Sequence, residues 1–191
     1  MIITIARQYG CGALAIGKML GAAYGIPFYT RKGLLEMARA EGVLEEMDDF
    51  FEERPVDELL FAISALGHSE GPVHSRALDI LSDMIGQRNC IIIGRCGNYI
   101  FRRRADLVSV FLKGREDERV RAVVAEQGIG MAEAREIVRD MDDSRVRYHR
   151  YYTHLQWGNS SDYGLCFDSV RLGAERSVAL IRQYIEGIGI K

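Results

Sequence analysis

Between residues 7 and 13 the chain reads Arg-Gln-Tyr-Gly-Cys-Gly-Ala, with a cation in front, two glycines one residue apart and a thiol between them. Gly10 and Gly12 let a backbone turn sharply and come close to a ligand, and a helix starting just after them would aim its free N–H groups at that ligand. The chemistry this spacing serves is anion binding, and phosphate in particular. In the full pattern G-x-x-x-x-G-K-[ST] the lysine reaches the β- and γ-phosphates and the hydroxyl holds Mg²⁺. With Gly12 as the last glycine, Arg7 stands at the first-glycine position, Ala13 at the lysine and Leu14 at the hydroxyl. Arg7 is a guanidinium at the loop mouth that can supply the charge Ala13 lacks. A tight turn without a ligand is the alternative for this stretch taken alone. Cys11, at a helix N-terminus, is expected to be a candidate for a lowered pKa and reactivity.

Two further groups of residues could do chemistry. Arg95 follows the apolar run Ile91 to Ile93 and Gly94, which places it at the carboxyl end of a buried strand, where open α/β sheets collect their ligands. A structural ion pair is the alternative for Arg95. Between Arg139 and Trp157 the chain carries four arginines, three tyrosines and a tryptophan, interleaved with Asp140, Asp142 and Asp143. Arginines with aromatic residues suit single-stranded nucleic acid, but the carboxylates oppose a general electrostatic groove. A helical lid that brings arginines over a phosphate-rich substrate fits this composition better.

The elements that would position these residues are legible in the apolar pattern. Ile2 to Ala6 reads as a buried strand, and Ile16, Met19, Leu20 and Ala23 put the next segment on a helix. Pro27 to Tyr29 is a brief extended piece, and Arg31 to Glu41 is helical. Val43 to Leu66 is helical in pattern, acidic at its start and interrupted by Pro55; Gly67 to Pro72 reads as a loop, and His74 to Gln87 as another helix. His68 and His74 lack metal-ligand spacing. Leu107 to Leu112 is a strand, Glu116 to Gln127 a helix, Leu165 to Phe167 a strand, and Leu172 to Ile188 a closing helix whose Ala174, Val178, Ile181 and Ile185 form a core stripe. Arg102 to Arg104 read as a solvated helix end. Strands alternating with amphipathic helices predict a three-layer α/β/α fold around a parallel sheet whose first strand is central.

Composition sets the outer limits. The 191 residues, 48% hydrophobic, suffice for one domain with a substantial core. Twenty-five basic against 27 acidic residues leave a net charge of −2, against a nucleic-acid partner. No run approaches the roughly eighteen apolar residues of a membrane span, and Met1 leads straight into a strand, so the expected location is the cytoplasm and no membrane partner is expected. Cys11, Cys90, Cys96 and Cys166 contain no C-x-x-C pair, and no metal ligand set is assigned.

The sequence resembles the cytidylate kinase-like family among the P-loop nucleoside monophosphate kinases. The likeness runs over nearly the whole chain: ARQYGCGALAIGKML at Ala6 to Leu20, IPFY at Ile26 to Tyr29, IIIGRC at Ile91 to Cys96, DDSRVRYHRYYT at Asp142 to Thr153, WG at Trp157 and Gly158, and YGLCFDSVRLG at Tyr163 to Gly173. The resemblance implies a P-loop kinase-like domain over residues 1–191, with a helical acceptor-side insertion at about 30–88 and a lid-like segment at about 131–158. It implies transfer of the γ-phosphoryl group of ATP to CMP, dCMP or a related monophosphate, with Mg²⁺ accompanying ATP. Carried over, Arg7, Gln8, Tyr9, Gly10, Cys11, Gly12 and Ala13 form the donor-phosphate loop, Arg95 is the acceptor-side arginine, and Asp142 and Arg145 meet the acceptor and the transferring phosphate, with Arg7, Asp142 and Arg145 catalytic. Ala13, Leu14, Thr30, Ile93 and Cys96 depart from the family pattern. Two functions therefore stand side by side: a cytidylate-type kinase, or a nucleotide-binding and catalytically weak sensor or partner protein with a degenerate loop. Small-molecule nucleotides are the expected partners, and a homodimer is compatible with either.

Overall fold

The computed structural model describes residues 1–51 and 73–190, without the side chains of residues 48, 49 and 73–75. The chain runs β1 (Ile2–Arg7), α1 (Ala13–Tyr24), β2 (Phe28–Tyr29), α2 (Arg31–Ala40), a 3₁₀ turn (Leu44–Met47), α3 (Asp48–Phe51), α4 (Val73–Ile85), β3 (Cys90–Ile93) and α5 (Gly97–Ile100). It continues through β4 (Leu107–Lys113), α6 (Glu116–Gln127), α7 (Met131–Thr153), a 3₁₀ turn (Ser160–Asp162), β5 (Leu165–Asp168) and α8 (Ser169–Gly187). The five strands form one parallel sheet in the order β2-β3-β1-β4-β5, so β1 is central as the apolar run predicted.

The pleat divides the core in two. Ile3 and Ile5 of β1, with Ile91 and Ile93 of β3, face α1 and α8, while Ile2, Cys90 and Ile92 face the layer of α2 to α5 and the end of α7. Strands buried on both faces need continuous apolar sequence, which is why Ile2 to Ile5 and Cys90 to Ile93 lack the alternation of a half-exposed strand. The polar exception is Thr4, 2% exposed, which points into the second face. On that face Phe50 meets Tyr152 edge-on at 5.2 Å and Tyr148 at 5.9 Å, linking α3 to α7.

Most expected elements lie within a few residues of their predicted bounds. The segment Met131 to Trp157 is mostly one helix, α7, of 23 residues, and α8 is kinked at Gly173, where φ is 77°. Arg102 and Arg103 are exposed in the turn that follows α5, whereas Arg104 is ion-paired to Asp106 at 2.7 Å with its side chain 12% exposed. Of the helix expected over Val43 to Leu66, the described part is the short pair Leu44–Met47 and Asp48–Phe51; its remainder, Pro55, Gly67 to Pro72, His68 and the His74 side chain lie outside the described residues. Among the described residues no helix is long and apolar enough to cross a membrane.

Candidate functional site

The loop from Gln8 to Gly12 is stitched to its surroundings along its length. Gln8 N–H donates to the Leu112 carbonyl at 3.0 Å, and its side-chain oxygen accepts from Gly114 N–H at 3.0 Å, which ties the exit of β1 to the end of β4. The Cys11 carbonyl accepts from the Ser169 hydroxyl at 2.8 Å, tying the loop to α8. At Gly10 φ is 81°, and a Cβ there would stand 2.8 Å from the Arg119 carbonyl, so conformation and space both demand glycine. Gly12, also left-handed, opens α1 by accepting from Ile16 N–H.

The centre of the loop is held from α6 and α7. Tyr9 N–H donates to Asp142 Oδ1 at 2.7 Å, the Tyr9 carbonyl accepts from Arg119 Nη1 at 3.0 Å, and that same nitrogen stands 2.7 Å from Asp142 Oδ2. The Arg119 and Asp142 side chains are 7% and 15% exposed, so this ion pair sits in low dielectric with its hydrogen bonds supplied by the loop backbone. Arg145, one turn along α7, donates to the Arg7 carbonyl at 3.1 Å, lies 3.5 Å from Asp142 and places its guanidinium 5.3 Å from the centre of the Tyr9 ring. Helix α7 thus rests directly on the loop.

Cys11 does not have the reactivity its position suggested. It is buried, and burial pushes its thiol up to about 11, outweighing the Ser169 hydrogen bond and the nearby Arg119 charge. Desolvation beats the helix terminus here. Cys90 and Cys96 are likewise raised by burial, to about 11 and about 12.

Beside the loop, at the carboxyl end of the sheet, four guanidinium side chains converge. Arg7, Arg31, Arg95 and Arg145 line one cleft with Met141, Ser144 and Tyr148, and among the described residues no carboxylate lines it. Arg95 follows Gly94 in a turn where Gly94, Arg95 and Cys96 all have positive φ, at 76°, 52° and 54°. Each non-glycine residue there costs about 1–2 kcal/mol, so the surroundings must hold the turn in place. They do: Arg95 Nη1 donates to the Phe50 carbonyl at 2.8 Å, its guanidinium lies 5.0 Å from the centre of the Tyr148 ring, and the Tyr148 hydroxyl donates to the same carbonyl at 3.0 Å. Arg31 donates to the Phe51 carbonyl, so two arginines meet the carbonyl end of α3. Arg7 reaches across Gly94, where any Cβ would collide with its guanidinium.

Next to this cleft a cavity of about 40 Å³ lies between β1, α5 and α7, lined by Thr4, Arg7, Arg95, Asn98, His149 and Trp157 among others. His149 is 3% exposed and burial pushes its imidazole below the usual range, against the opposing pull of Asp162.

The structure therefore brings Arg7, Arg95 and Arg145 together, and places Asp142 against the loop rather than in the cleft. Sequence reading missed Arg31, Arg119, Thr4 and His149. Arg31 follows Phe28-Tyr29-Thr30 at a strand end, a place where a cation could have been noted; Arg119, in the charged run Glu116 to Arg121, carried no signal.

Comparisons with known proteins agree with the fold. An uncharacterized protein from Eubacterium ventriosum superposes with a TM-score of 0.75 at 23% identity over 97% of this chain and 98% of that one. A gluconokinase from Sinorhizobium meliloti gives 0.56 at 13% identity over 97% and 94%, and a shikimate kinase from Acinetobacter baumannii 0.53 at 15% over 100% and 95%. At these identities the likeness is one of fold, the three-layer fold of P-loop kinases. No sequence among the curated proteins matches this chain. The profile of the cytidylate kinase-like family matches residues 2–171, with a fold of the nucleoside monophosphate kinase type, and the chain belongs to that family.

Proposed function

We propose that this protein transfers the γ-phosphoryl group of ATP to CMP, dCMP or a related monophosphate. The observation that carries the proposal is the convergence of Arg7, Arg31, Arg95 and Arg145 on one cleft beside the glycine loop. Phosphoryl transfer asks a protein for positioning and for cations around developing charge rather than for covalent chemistry. In this reading the loop, Arg7 through Ala13, cradles the donor phosphates, and Arg95 with Arg145 receives the acceptor phosphate. An acceptor phosphate oxygen attacks the γ-phosphorus, the bond to the β-phosphate oxygen breaks, and ADP leaves while Arg7 and Arg145 offset the charge. Asp142 acts by positioning: its oxygens hold Tyr9 N–H and Arg119. Residues 30–88 form the acceptor side and residues 131–158 the lid of a single domain, working in the cytoplasm on small nucleotides, with neither nucleic acid nor membrane as partner.

Mg²⁺ would accompany ATP. No protein ligand is assigned to it: Leu14 stands where the P-loop pattern has a hydroxyl, and among the described residues no three His, Cys, Asp or Glu side chains gather. None of the roles given above depends on a metal held by the chain.

The second reading, a nucleotide binder with weak or no catalysis, is favoured by two observations: the loop has Ala13 for lysine, and its Tyr9 N–H is occupied by Asp142. An assay of ADP release with CMP, dCMP and UMP as acceptors separates the two. The kinase reading expects release that depends on the acceptor; stabilisation by ATP with no transfer to any of the three would establish the binder.

A further inference from the structure

The cavity next to the arginine cleft has a polar floor that the proposed phosphate contacts do not use. Thr4 is in the middle of β1, flanked by the fully buried Ile3 and Ile5, and is itself 2% exposed. Its register partners are Ile92 of β3 and Ser109 of β4, and a Cβ on Gly97 would stand 3.0 Å from its methyl group, so the methyl is packed while the hydroxyl has no hydrogen-bond partner. His149, 3% exposed on the last turns of α7, likewise has no partner at Nε2. Both line the same cavity, together with the 6% exposed Asn98.

Two unpartnered polar atoms on residues that line one cavity are costly to bury. At position 4 a valine would have the same shape without that cost, and a parallel central strand favours it. Among the residues around this cavity are Arg7, Arg95 and Arg145, which also line the cleft. Any anion held on those guanidiniums therefore has the polar floor as its neighbour. The cavity, about 40 Å³, has room for a compact polar group beside an anion on those guanidiniums.

We propose that Thr4 and His149 determine acceptor specificity, accepting or donating hydrogen bonds to a compact polar group of the acceptor, a hydroxyl or an amide-like edge, while its phosphate lies on Arg95 and Arg145. The proposal rests on the reading of the cleft as the acceptor site. Burial keeps the His149 ring neutral at pH 7, so the floor discriminates by hydrogen bonding and leaves charge recognition to the arginines.

The test is calorimetric binding of CMP, dCMP, UMP, AMP and inorganic phosphate to the full chain, with urea unfolding of each variant alongside. Thr4→Val removes the hydroxyl and keeps the volume. It is expected to weaken the best-bound nucleotide by about tenfold, the loss of one hydrogen bond, to leave inorganic phosphate unchanged, and to leave the urea midpoint equal or higher. His149→Gln, which keeps a neutral hydrogen-bonding side chain at a different reach, is expected to reorder the four nucleotides. If Thr4→Val instead lowers the urea midpoint or fails to fold while His149→Gln leaves the order intact, the two residues hold a structural water and the proposal is overturned. Equal weakening of nucleotide and phosphate by Thr4→Val overturns it too, because the effect then runs through the arginines. Failure of the underlying reading looks different: Arg95→Ala would leave both CMP and phosphate binding unchanged, whatever the Thr4 variant does. A chain that binds none of the four nucleotides, with ATP present or absent, overturns both.

Discussion

Two groups of arginines a few residues apart in space are handled in opposite ways. Arg119 is matched to a carboxylate, Asp142, and to two main-chain carbonyls, so its charge is compensated on the spot and its function is to hold the loop. In the cleft, Arg95 and Arg31 meet the carbonyl end of α3 and, for Arg95, the faces of aromatic rings. Carbonyl dipoles and ring faces are thus among the partners that orient these guanidiniums at the cleft. Arg145 stands on the boundary, 3.5 Å from Asp142 and lining the cleft. The contrast is one of position: Arg119 is spent on the loop backbone, while Arg31, Arg95 and Arg145 line the cleft beside it.

The largest effect should come from breaking the brace. Asp142→Ala leaves Arg119 buried without its counter-charge and releases Tyr9 N–H, and a loss of about 3–5 kcal/mol in urea unfolding is expected. Replacing both partners with apolar residues should cost much less than the single change. A single variant as stable as the parent would mean that the pair does not hold the loop.

Nucleotide binding comes next. With ATP at about 100 times its Kd the fold should gain about 2.7 kcal/mol. Arg7→Ala should remove much of that gain and abolish transfer, whereas Ala13→Lys should add little if Arg7 already supplies the charge. A large gain from Ala13→Lys would mean that the loop lacks a cation and that Arg7 belongs to the acceptor side alone.

Arg95→Ala sharpens the comparison because Arg95 has both kinds of work. Acceptor affinity should fall by about 1.5–3 kcal/mol, the range for a hydrogen bond to a charged group, with ATP affinity little changed. Stability should fall as well, since the Phe50 carbonyl loses its guanidinium partner and keeps the Tyr148 hydroxyl. Equal loss of ATP and acceptor binding would return Arg95 to a purely structural role.

How much of this was legible beforehand follows from the range of each interaction. Strand β1, its central place and the helix start at Ala13 are written in local apolar pattern and glycine spacing, and both hold. Arg95 could be placed at a strand end for the same reason. The partners of Asp142 could not, because Tyr9 lies 133 residues away and Arg119 sits on a helix whose sequence is charged almost throughout. Cys11 failed for a related reason: its place at a helix terminus is local, but its burial under α8 is set by Ser169, 158 residues on. Thr4 looked like one more β-branched residue in a strand.

The smallest effect concerns pH and isolates the cavity from the brace. Burial holds the His149 imidazole below its ordinary value of 6.5, with Asp162 opposing; Arg7, Arg95, Arg145 and Tyr148 line the same cavity. In the unfolded chain the ring takes up a proton near its ordinary value, so at mildly acidic pH the unfolded state binds more protons than the folded one and stability falls as pH drops through about 6.5. Above that value both states are neutral and the contribution is complete. Urea midpoints measured from pH 8 to pH 5 should therefore decline in the parent and decline less in His149→Gln, whose amide does not titrate. Asp142→Asn, by contrast, should leave this segment of the profile in place, since Asp142 holds the loop through Tyr9 and Arg119 and does not line the cavity. If His149→Gln and the parent have parallel profiles, the imidazole is protonated in the fold as readily as in water, and the cavity is wetter than its burial implies.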